Sequence, residues 1–302
     1  MSSFSGRFEN AVPSTEGPPL THEPLTPEIV DERREAAGES PTPQPRTFLP
    51  LLLFVATCYT TYGTGGFAYA APLMLILLCH EFGHYIQARR YHVPASLPYF
   101  IPMPGTPLGT MGAVIAMSGH MGNRKSLFDI GISGPLAGLV PALVCSVIGI
   151  QWSTVVNVPP GGFEHGLGAP LLFQLLVPWF HGPLAENQTI ALHALARAGW
   201  VGILITSLNL FPIGQLDGGH ILYALLRKKA HVIASMLLAT AIVAVLVSRN
   251  DQWSLMLLLL VLMGPNHPAT ANDDMPLGTG RVILGWLTLL FVIIGFTPTP
   301  FI

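Results

Sequence analysis

Residues 71–90 read APLMLILLCHEFGHYIQARR, an apolar run with three ionisable side chains in its middle. His80 and His84 stand four residues apart, so on a helix both imidazoles lie on one face, within reach of a single metal ion. Glu81 follows the first histidine and can lie beside a metal-bound water as its general base. An ionised side chain at mid-depth of a membrane span costs roughly 3 kcal/mol or more and usually has a partner or a function. This segment is therefore the first candidate for a functional site.

The composition of the whole chain is that of a membrane protein. Of 302 residues, 50% are hydrophobic and 10% are charged, whereas about a quarter of a soluble domain is charged. Eight of the 16 acidic residues lie between Glu9 and Glu39, so the rest of the chain is poorer still in charge. The net charge of −2 shows no basic excess, and no nucleic-acid partner is expected.

The N-terminal segment 1–46 differs from the remainder. It is rich in Pro, Glu, Ser and Thr and has almost no periodic apolar pattern. Such a segment cannot bury enough surface to offset its ordering entropy, so we predict a disordered tail. It lacks the basic region and apolar run of a cleaved signal peptide, and the tail is therefore expected to stay in the cytoplasm. Residues 47–302 form the predicted transmembrane domain, with its core at 70–220.

Apolar stretches that are candidates for membrane spans lie at roughly 47–64, 70–88, 129–151, 189–212, 230–248, 251–264 and 281–297. A straight span needs about 20 residues, and some of these stretches are shorter. The prediction is an all-α polytopic membrane protein with six or seven transmembrane helices. The short, proline-bounded stretch 167–180 is predicted to be an interfacial helix.

The positions of Lys and Arg between the spans predict the orientation. Basic residues occur in 89–128 and in 220–229, whereas 152–188 contains none. The first two segments are therefore expected on the cytoplasmic side and the third outside. Arg249, in a short turn on the predicted outer side, is an exception.

A second candidate segment, SLNLFPIGQLDGGHILYALL, occupies residues 207–226. Pro212 removes an amide donor and three nearby glycines relax the backbone, so a helix is expected to break here. Broken helices at membrane depth are tolerated where they line a polar cavity, to which Asp217 would present its carboxylate. A tetrahedral zinc held by two histidines lacks one protein ligand if the fourth position is kept for water. Asp217 is the best supplier of that ligand.

The two candidate segments, HEFGH and the later NLFPIGQLDGGH, resemble the site-2 protease family of intramembrane zinc metalloproteases. Two further stretches, LPYFIPMPGTPLGTMGAVIAM and NRKSLFDIGISGPLAG, resemble the bacterial and plant plastid branch typified by the ethylene-dependent gravitropism-deficient proteases. The C-terminal HPATANDDMPLGTGRVILGWLTLLFVIIGFTPTPF also fits that branch. The resemblance covers most of 70–302 and leaves the tail out.

The resemblance implies a Zn²⁺ cofactor, with His80, His84 and Asp217 as ligands and Glu81 as catalytic base. It implies that Asn209 contacts the substrate backbone near the scissile bond, where a side-chain amide can donate to a developing oxyanion; the alternative is a hydrogen bond between helices. The implied substrates are membrane-spanning proteins cleaved within the lipid bilayer, and the expected location is a bacterial inner membrane. No PDZ domain, a common feature of the family, fits between the second and third spans.

The segment 97–117 has a strand-like pattern punctuated by proline and glycine. We predict a membrane-dipping β-hairpin with an exposed edge; the alternative is a connecting loop. A transmembrane substrate must unwind before cleavage, and pairing with a sheet edge replaces its lost backbone hydrogen bonds. The residues expected at that edge are Gly112, Ala113, Val114 and Ile115.

Two other functions are compatible with a membrane protein of this kind. A transporter or channel with His/Asp ion sites often has repeated halves with paired broken helices, and the sequence has one such segment. A catalytically silent scaffold would be expected to lack Glu81. Three further histidines, His120, His220 and His267, are possible extra ligands, for which loop or interface roles are favoured.

Overall fold

The computed structural model describes residues 47–117, 122–158, 166–249, 251–268 and 270–301. These residues belong to one compact unit. The predicted tail 1–46 and His120 lie outside the described residues, so the disordered tail stays a prediction.

The described residues form helices joined by short connections, in the order α1 Phe48–Gly65, α2 Phe67–Arg90, α3 Arg124–Gln151, α4 Leu171–His181, α5 Ala194–Asn209, α6 Asp217–Leu226, α7 Lys229–Ser248, α8 Ser254–Met263 and α9 Thr279–Gly295. The strands form two antiparallel pairs, β1 Tyr99–Pro102 with β2 Thr110–Val114, and β3 Thr154–Asn157 with β4 Gln188–Ala191.

The predominantly helical prediction is confirmed, because each of the seven apolar stretches contains a helix. By length and composition, α2, α3 and α7 are able to cross a membrane. The helices α4, α8 and α9 are apolar but shorter. A count of six or seven spans therefore stays a prediction.

The predicted span 189–212 is wrong at its start. Gln188–Ala191 form β4, which pairs with β3 from Thr154↔Ala191 to Asn157↔Gln188. The β-branched side chains of Thr189 and Ile190 favour a strand. The ring of His193 accepts a hydrogen bond from the N–H of Leu195 and caps α5, so the helix begins only at Ala194. This second pair of strands is also absent from the all-α prediction.

Helix α3 lies at the centre of the fold, packed against α2, α5 and α6. Small residues allow the close approach, as in many membrane helix pairs. A Cβ added at Gly83 would lie 2.5 Å from the carbonyl oxygen of Ser133, and one at Gly199 would lie 2.4 Å from Oγ of Ser146. The helices that carry the candidate site residues are thus held at short distance from one another.

The hairpin predicted for 97–117 is present as β1 and β2, with Tyr99↔Val114 and Phe100↔Ala113 in register. Its turn is fixed to the first two helices by side-chain hydroxyls. Thr60 donates to the carbonyl of Gly109 at 2.7 Å, and Tyr69 donates to the carbonyl of Leu108 at 2.8 Å. The turn is therefore immobilised against α1 and α2; that it dips into a membrane stays a prediction.

The helix break predicted around Pro212 is also present. Helix α5 ends at Asn209 and α6 begins at Asp217. The connecting loop passes through Gly214, whose φ of +57° suits glycine, and folds back on α6. A Cβ added at Gly218 would lie 1.9 Å from the carbonyl oxygen of Leu210. Asp217 is thereby placed at the first position of a short helix.

Candidate metal centre

Three side chains from two distant parts of the chain converge beside α3. Nε2 of His80 lies 3.1 Å from Oδ2 of Asp217, and Nε2 of His84 lies 3.2 Å from Oδ1. The two Nε2 atoms are 3.3 Å apart. One possible ligand atom from each of the three residues lies within 4.8 Å of the other two. The structure thus brings together the three residues that the sequence suggested as ligands.

The hydrogen bonding of His84 shows which of its two ring nitrogens carries the proton and which carries the lone pair. Its Nδ1 lies 2.8 Å from the backbone carbonyl of Ile130, which can only accept, so Nδ1 carries the proton of the neutral ring. Nε2 of His84 then has a lone pair, which points at Nε2 of His80 and the Asp217 carboxylate. Lone pairs that converge in a buried site repel one another unless a proton or a cation lies between them.

The distances suit zinc. Zinc binds imidazole nitrogen and carboxylate oxygen at about 2.0–2.1 Å, so ligand atoms at the corners of a tetrahedron lie about 3.3 Å apart. The three observed separations, between 3.1 and 3.3 Å, match that edge. Three protein ligands are also the number found in catalytic zinc sites, where one position stays open. The residues present therefore fit a zinc ion.

Helix α3 makes room for the two imidazoles. A Cβ added at Gly134 would lie 2.0 Å from Nε2 of His84, and one at Gly138 would lie 2.9 Å from Cβ of His80. Both glycines belong to the stretch SGPLAG at residues 133–138. In the structure these glycines pack directly against the candidate ligands.

Glu81 lies beside this group, with 4% of its surface exposed. It forms no hydrogen bond with any residue that the structure describes. A buried carboxylate without a hydrogen-bonding partner is costly, and such groups occur mostly at functional sites. The position suits a base that would exchange protons with a bound molecule.

Asn209 is the last residue of α5, directly before the helix break. Its amide Nδ2 lies 3.4 Å from Nε2 of His80. The structure therefore places Asn209 at the edge of the cluster, with a side-chain amide available near the candidate metal position.

The predicted hairpin residues 112–115 lie on or beside β2, which contacts α2. A Cβ added at Gly112 would be 3.4 Å from Ile205 of α5. The strand thus packs against the two helices that carry His80 and Asn209. Ala113 is buried in the main apolar core, whereas Val114 is exposed.

Two of the extra histidines pair with each other rather than with the cluster. Nδ1 of His220 lies 2.6 Å from Nε2 of His267, in keeping with the favoured interface role.

The sequence reasoning missed the Ile130 carbonyl, because a backbone acceptor has no signature in the sequence. It also missed the ion pair of Arg281 with Asp129, at 2.7 Å between Nε and Oδ1, which joins α9 to α3.

Much of the chain is similar to known proteins. Residues 68–248 match the model of peptidase family M50. The "Probable zinc metalloprotease EGY1, chloroplastic" of Oryza sativa subsp. japonica is 31% identical over 214 residues, which are 68% of this chain and 34% of that protein. The Arabidopsis thaliana protein of the same name is 30% identical over 232 residues, covering 74% and 41% respectively.

Among solved structures, the "Site-2 Protease from Methanocaldococcus jannaschii" is similar over 75% of this chain and 90% of that chain. The sequence identity is 18% and the TM-score is 0.38. The chain spans about a third to two fifths of the length of the two plant relatives.

Proposed function

Because the chain belongs to peptidase family M50, the site-2 protease family, we propose that it is an intramembrane zinc metalloprotease. It would hydrolyse peptide bonds in or near the transmembrane segments of membrane proteins. The observation that carries this proposal is the convergence of two imidazole Nε2 atoms and a carboxylate at the spacing of zinc ligands. Glu81 follows His80 on the same helix, and its carboxylate has no hydrogen-bond partner among the residues that the structure describes.

In this proposal His80, His84 and Asp217 would hold a zinc ion, which would supply Lewis-acid activation of a water molecule and of the scissile carbonyl. Glu81 takes one proton from the water that attacks that carbonyl. The protonated Glu81 then donates this proton to the leaving amine and returns to its carboxylate form. The Asn209 amide donates a hydrogen bond to the developing oxyanion.

The proposal is tested by metal removal. Purified full-length protein in detergent is incubated with a single-span model substrate, with and without a zinc chelator. Cleavage should stop with the chelator and return when zinc is added back. Cleavage that continues in protein shown to be free of metal would contradict the proposal.

The open edge of β2 is the proposed binding site for the unwound substrate. The N–H of Ser96 donates to the carbonyl of Ala116 at 2.9 Å. The carbonyl of Ala116 therefore faces the β1 side. Alternate residues of a strand direct their peptide groups to the same side, so the peptide group of Val114 faces β1 as well. Ala113 and Ile115 then direct theirs to the opposite edge, where no other strand pairs in the described part of the chain.

Within the predicted set 112–115, the backbone donors toward substrate are therefore Ala113 and Ile115. The N–H of Gly112 is already used by Oγ1 of Thr110, at 3.0 Å. The role of Gly112 and Val114 in this proposal is to shape the strand and to keep it paired with β1.

We expect Ile115→Pro to lower cleavage of a membrane-spanning substrate about tenfold, since a lost backbone hydrogen bond is worth up to about 1.5 kcal/mol. Ala113→Pro should act in the same direction, because both residues face the open edge. Zinc content, measured on the same preparations, should not change. The matched control is Ile115→Ala, which keeps the N–H and should retain cleavage; equal loss in both Ile115 variants would refute pairing at this edge.

The finer location is also a proposal. The apolar helices support a membrane protein, and the Lys and Arg distribution supports a cytoplasmic N-terminal tail. The similar plant proteins are named chloroplastic, so a bacterial inner membrane rests on the sequence argument alone. The six or seven spans are likewise proposed from the apolar stretches.

A further inference from the structure

The segment between α8 and α9 runs along α6, the helix that begins with Asp217. We call residues 264–268 and 270–274 the strap. Strap side chains contact three side chains of α6 or its C-cap: His267 contacts His220, Asp273 contacts Tyr223 and Asp274 contacts Arg227. These α6 positions are three and four residues apart and therefore lie on one face of the helix.

His267 is the most deeply placed contact of the strap, with 8% of its surface exposed. Its Nδ1 lies 2.5 Å from the carbonyl of Pro268, so Nδ1 carries a proton and Nε2 is an acceptor. Nδ1 of His220 then donates to it across 2.6 Å. Burial lowers the pKa of His267, which favours this neutral form.

The ring of His267 is held on two further sides. It stacks on Tyr223, with 4.6 Å between centroids and 23° between planes. Nε2 of His231, at the start of α7, donates to the backbone carbonyl of His267 at 3.1 Å. The acceptor offered to His220 is therefore fixed in place.

The outer part of the strap is anchored as well. The carboxylate of Asp273 accepts hydrogen bonds from the hydroxyl of Tyr223 at 2.8 Å and from the hydroxyl of Thr270 at 2.6 Å. Burial acts to raise the pKa of Asp273, but these hydrogen bonds outweigh it and the pKa lies below its usual value. Asp273 is thus a charged acceptor that ties the strap to α6.

His220 is enclosed between the strap and α3. A Cβ added at Gly131 of α3 would lie 2.9 Å from Cβ of His220. His220 follows Asp217 by three residues, so the two side chains lie one turn apart on neighbouring parts of the helix surface. Helix α6 has only 10 residues and begins directly after the non-helical loop that follows α5. Its rotation about its own axis therefore depends on such lateral contacts.

We propose that His267 is a positioning residue for the metal ligand Asp217, acting through its hydrogen bond with His220. A metal site requires its ligands within about 0.5 Å of the productive geometry. A small rotation of α6 would move the Asp217 carboxylate away from the two imidazoles on α2. This inference rests on the proposed role of Asp217 as a zinc ligand.

The test is zinc affinity, measured by chelator competition on purified full-length protein. His267→Phe keeps a ring against Tyr223 and removes the acceptor. Loss of a direct hydrogen-bonding partner of a metal ligand costs about 10- to 100-fold in affinity; since His267 acts through His220, we expect the Kd for zinc to rise about tenfold, the lower end of that range. His267→Gln restores a side-chain acceptor and should recover most of the affinity. The control Asp274→Ala removes an exposed ion pair of little energetic value and should leave the Kd unchanged.

The possible results separate this inference from the proposed function. Asp217→Ala serves as reference. Weaker zinc binding in Asp217→Ala, with wild-type affinity in His267→Phe, would overturn the positioning role alone. Unchanged affinity in Asp217→Ala would instead contradict the proposed metal site.

If His267→Phe does not fold, His267→Gln is compared with His267→Asn, whose amide is too short to reach His220. A tenfold difference in Kd between these two variants supports the inference, and equal values overturn it.

Discussion

Glu81→Gln is expected to abolish peptide cleavage while zinc remains bound. The amide is nearly the same size as the carboxylate, so the three ligand residues keep their places. It cannot accept the proton of the attacking water, and general acid–base catalysis contributes about 10²- to 10⁴-fold to such reactions. Cleavage of a single-span substrate should fall by at least about a hundredfold, measured on purified protein with matched zinc content.

The matched control is His84→Ala on the same helix. It removes a ligand rather than the base, and should lower both cleavage and zinc content, determined by elemental analysis. The two variants therefore distinguish loss of chemistry from loss of metal. A Glu81→Gln protein that cleaves at the wild-type rate would show that another group moves the proton.

Gly134→Ala is expected to disrupt the metal centre although it changes no ligand. The new methyl carbon would lie 2.0 Å from Nε2 of His84, and 2.5 Å from Cε1 of the same ring. Either the ring turns away or α3 shifts, and both changes displace a ligand that must be placed within about 0.5 Å. We expect zinc affinity to fall at least about tenfold and cleavage to fall with it.

The control for this substitution is Gly280→Ala in α9, where an added Cβ has no atom within 4 Å. Both variants replace a helical glycine by alanine, so the comparison isolates the contact that the added methyl group makes. Zinc affinity should be unchanged in Gly280→Ala. Wild-type affinity in Gly134→Ala would mean that α3 does not approach His84 as closely as the structure has it.

The parts of the fold that the sequence predicted are those governed by local chemistry. The i, i+4 spacing of His80 and His84 fixes their common helix face, and Pro212 with its glycines fixes the break before Asp217. The strand-like pattern between Leu97 and Met117, punctuated by proline and glycine, predicted the hairpin. Each of these features depends on neighbours in sequence, so a single chain suffices to find it.

The parts that the sequence did not predict depend on contacts between distant segments. The Ile130 carbonyl that fixes the proton on His84 has no side-chain signal. The strand at Gln188–Ala191 was hidden at the start of an apolar stretch, because its partner strand lies more than 30 residues earlier. The pairing of His220 with His267 spans 47 residues and becomes visible only when the strap is folded.

The wide separation of the ligands has a consequence for biosynthesis. His80 and Asp217 are 137 residues apart, so a ribosome that adds about 5–20 residues per second needs roughly 7 to 27 s to make the second after the first. Two imidazoles on a newly inserted helix bind a metal ion weakly without the carboxylate. In the proposed function, a growing chain therefore has no complete zinc site next to other nascent membrane proteins, and hydrolysis would become possible only after translation has passed Asp217 and α2, α3 and α6 have assembled.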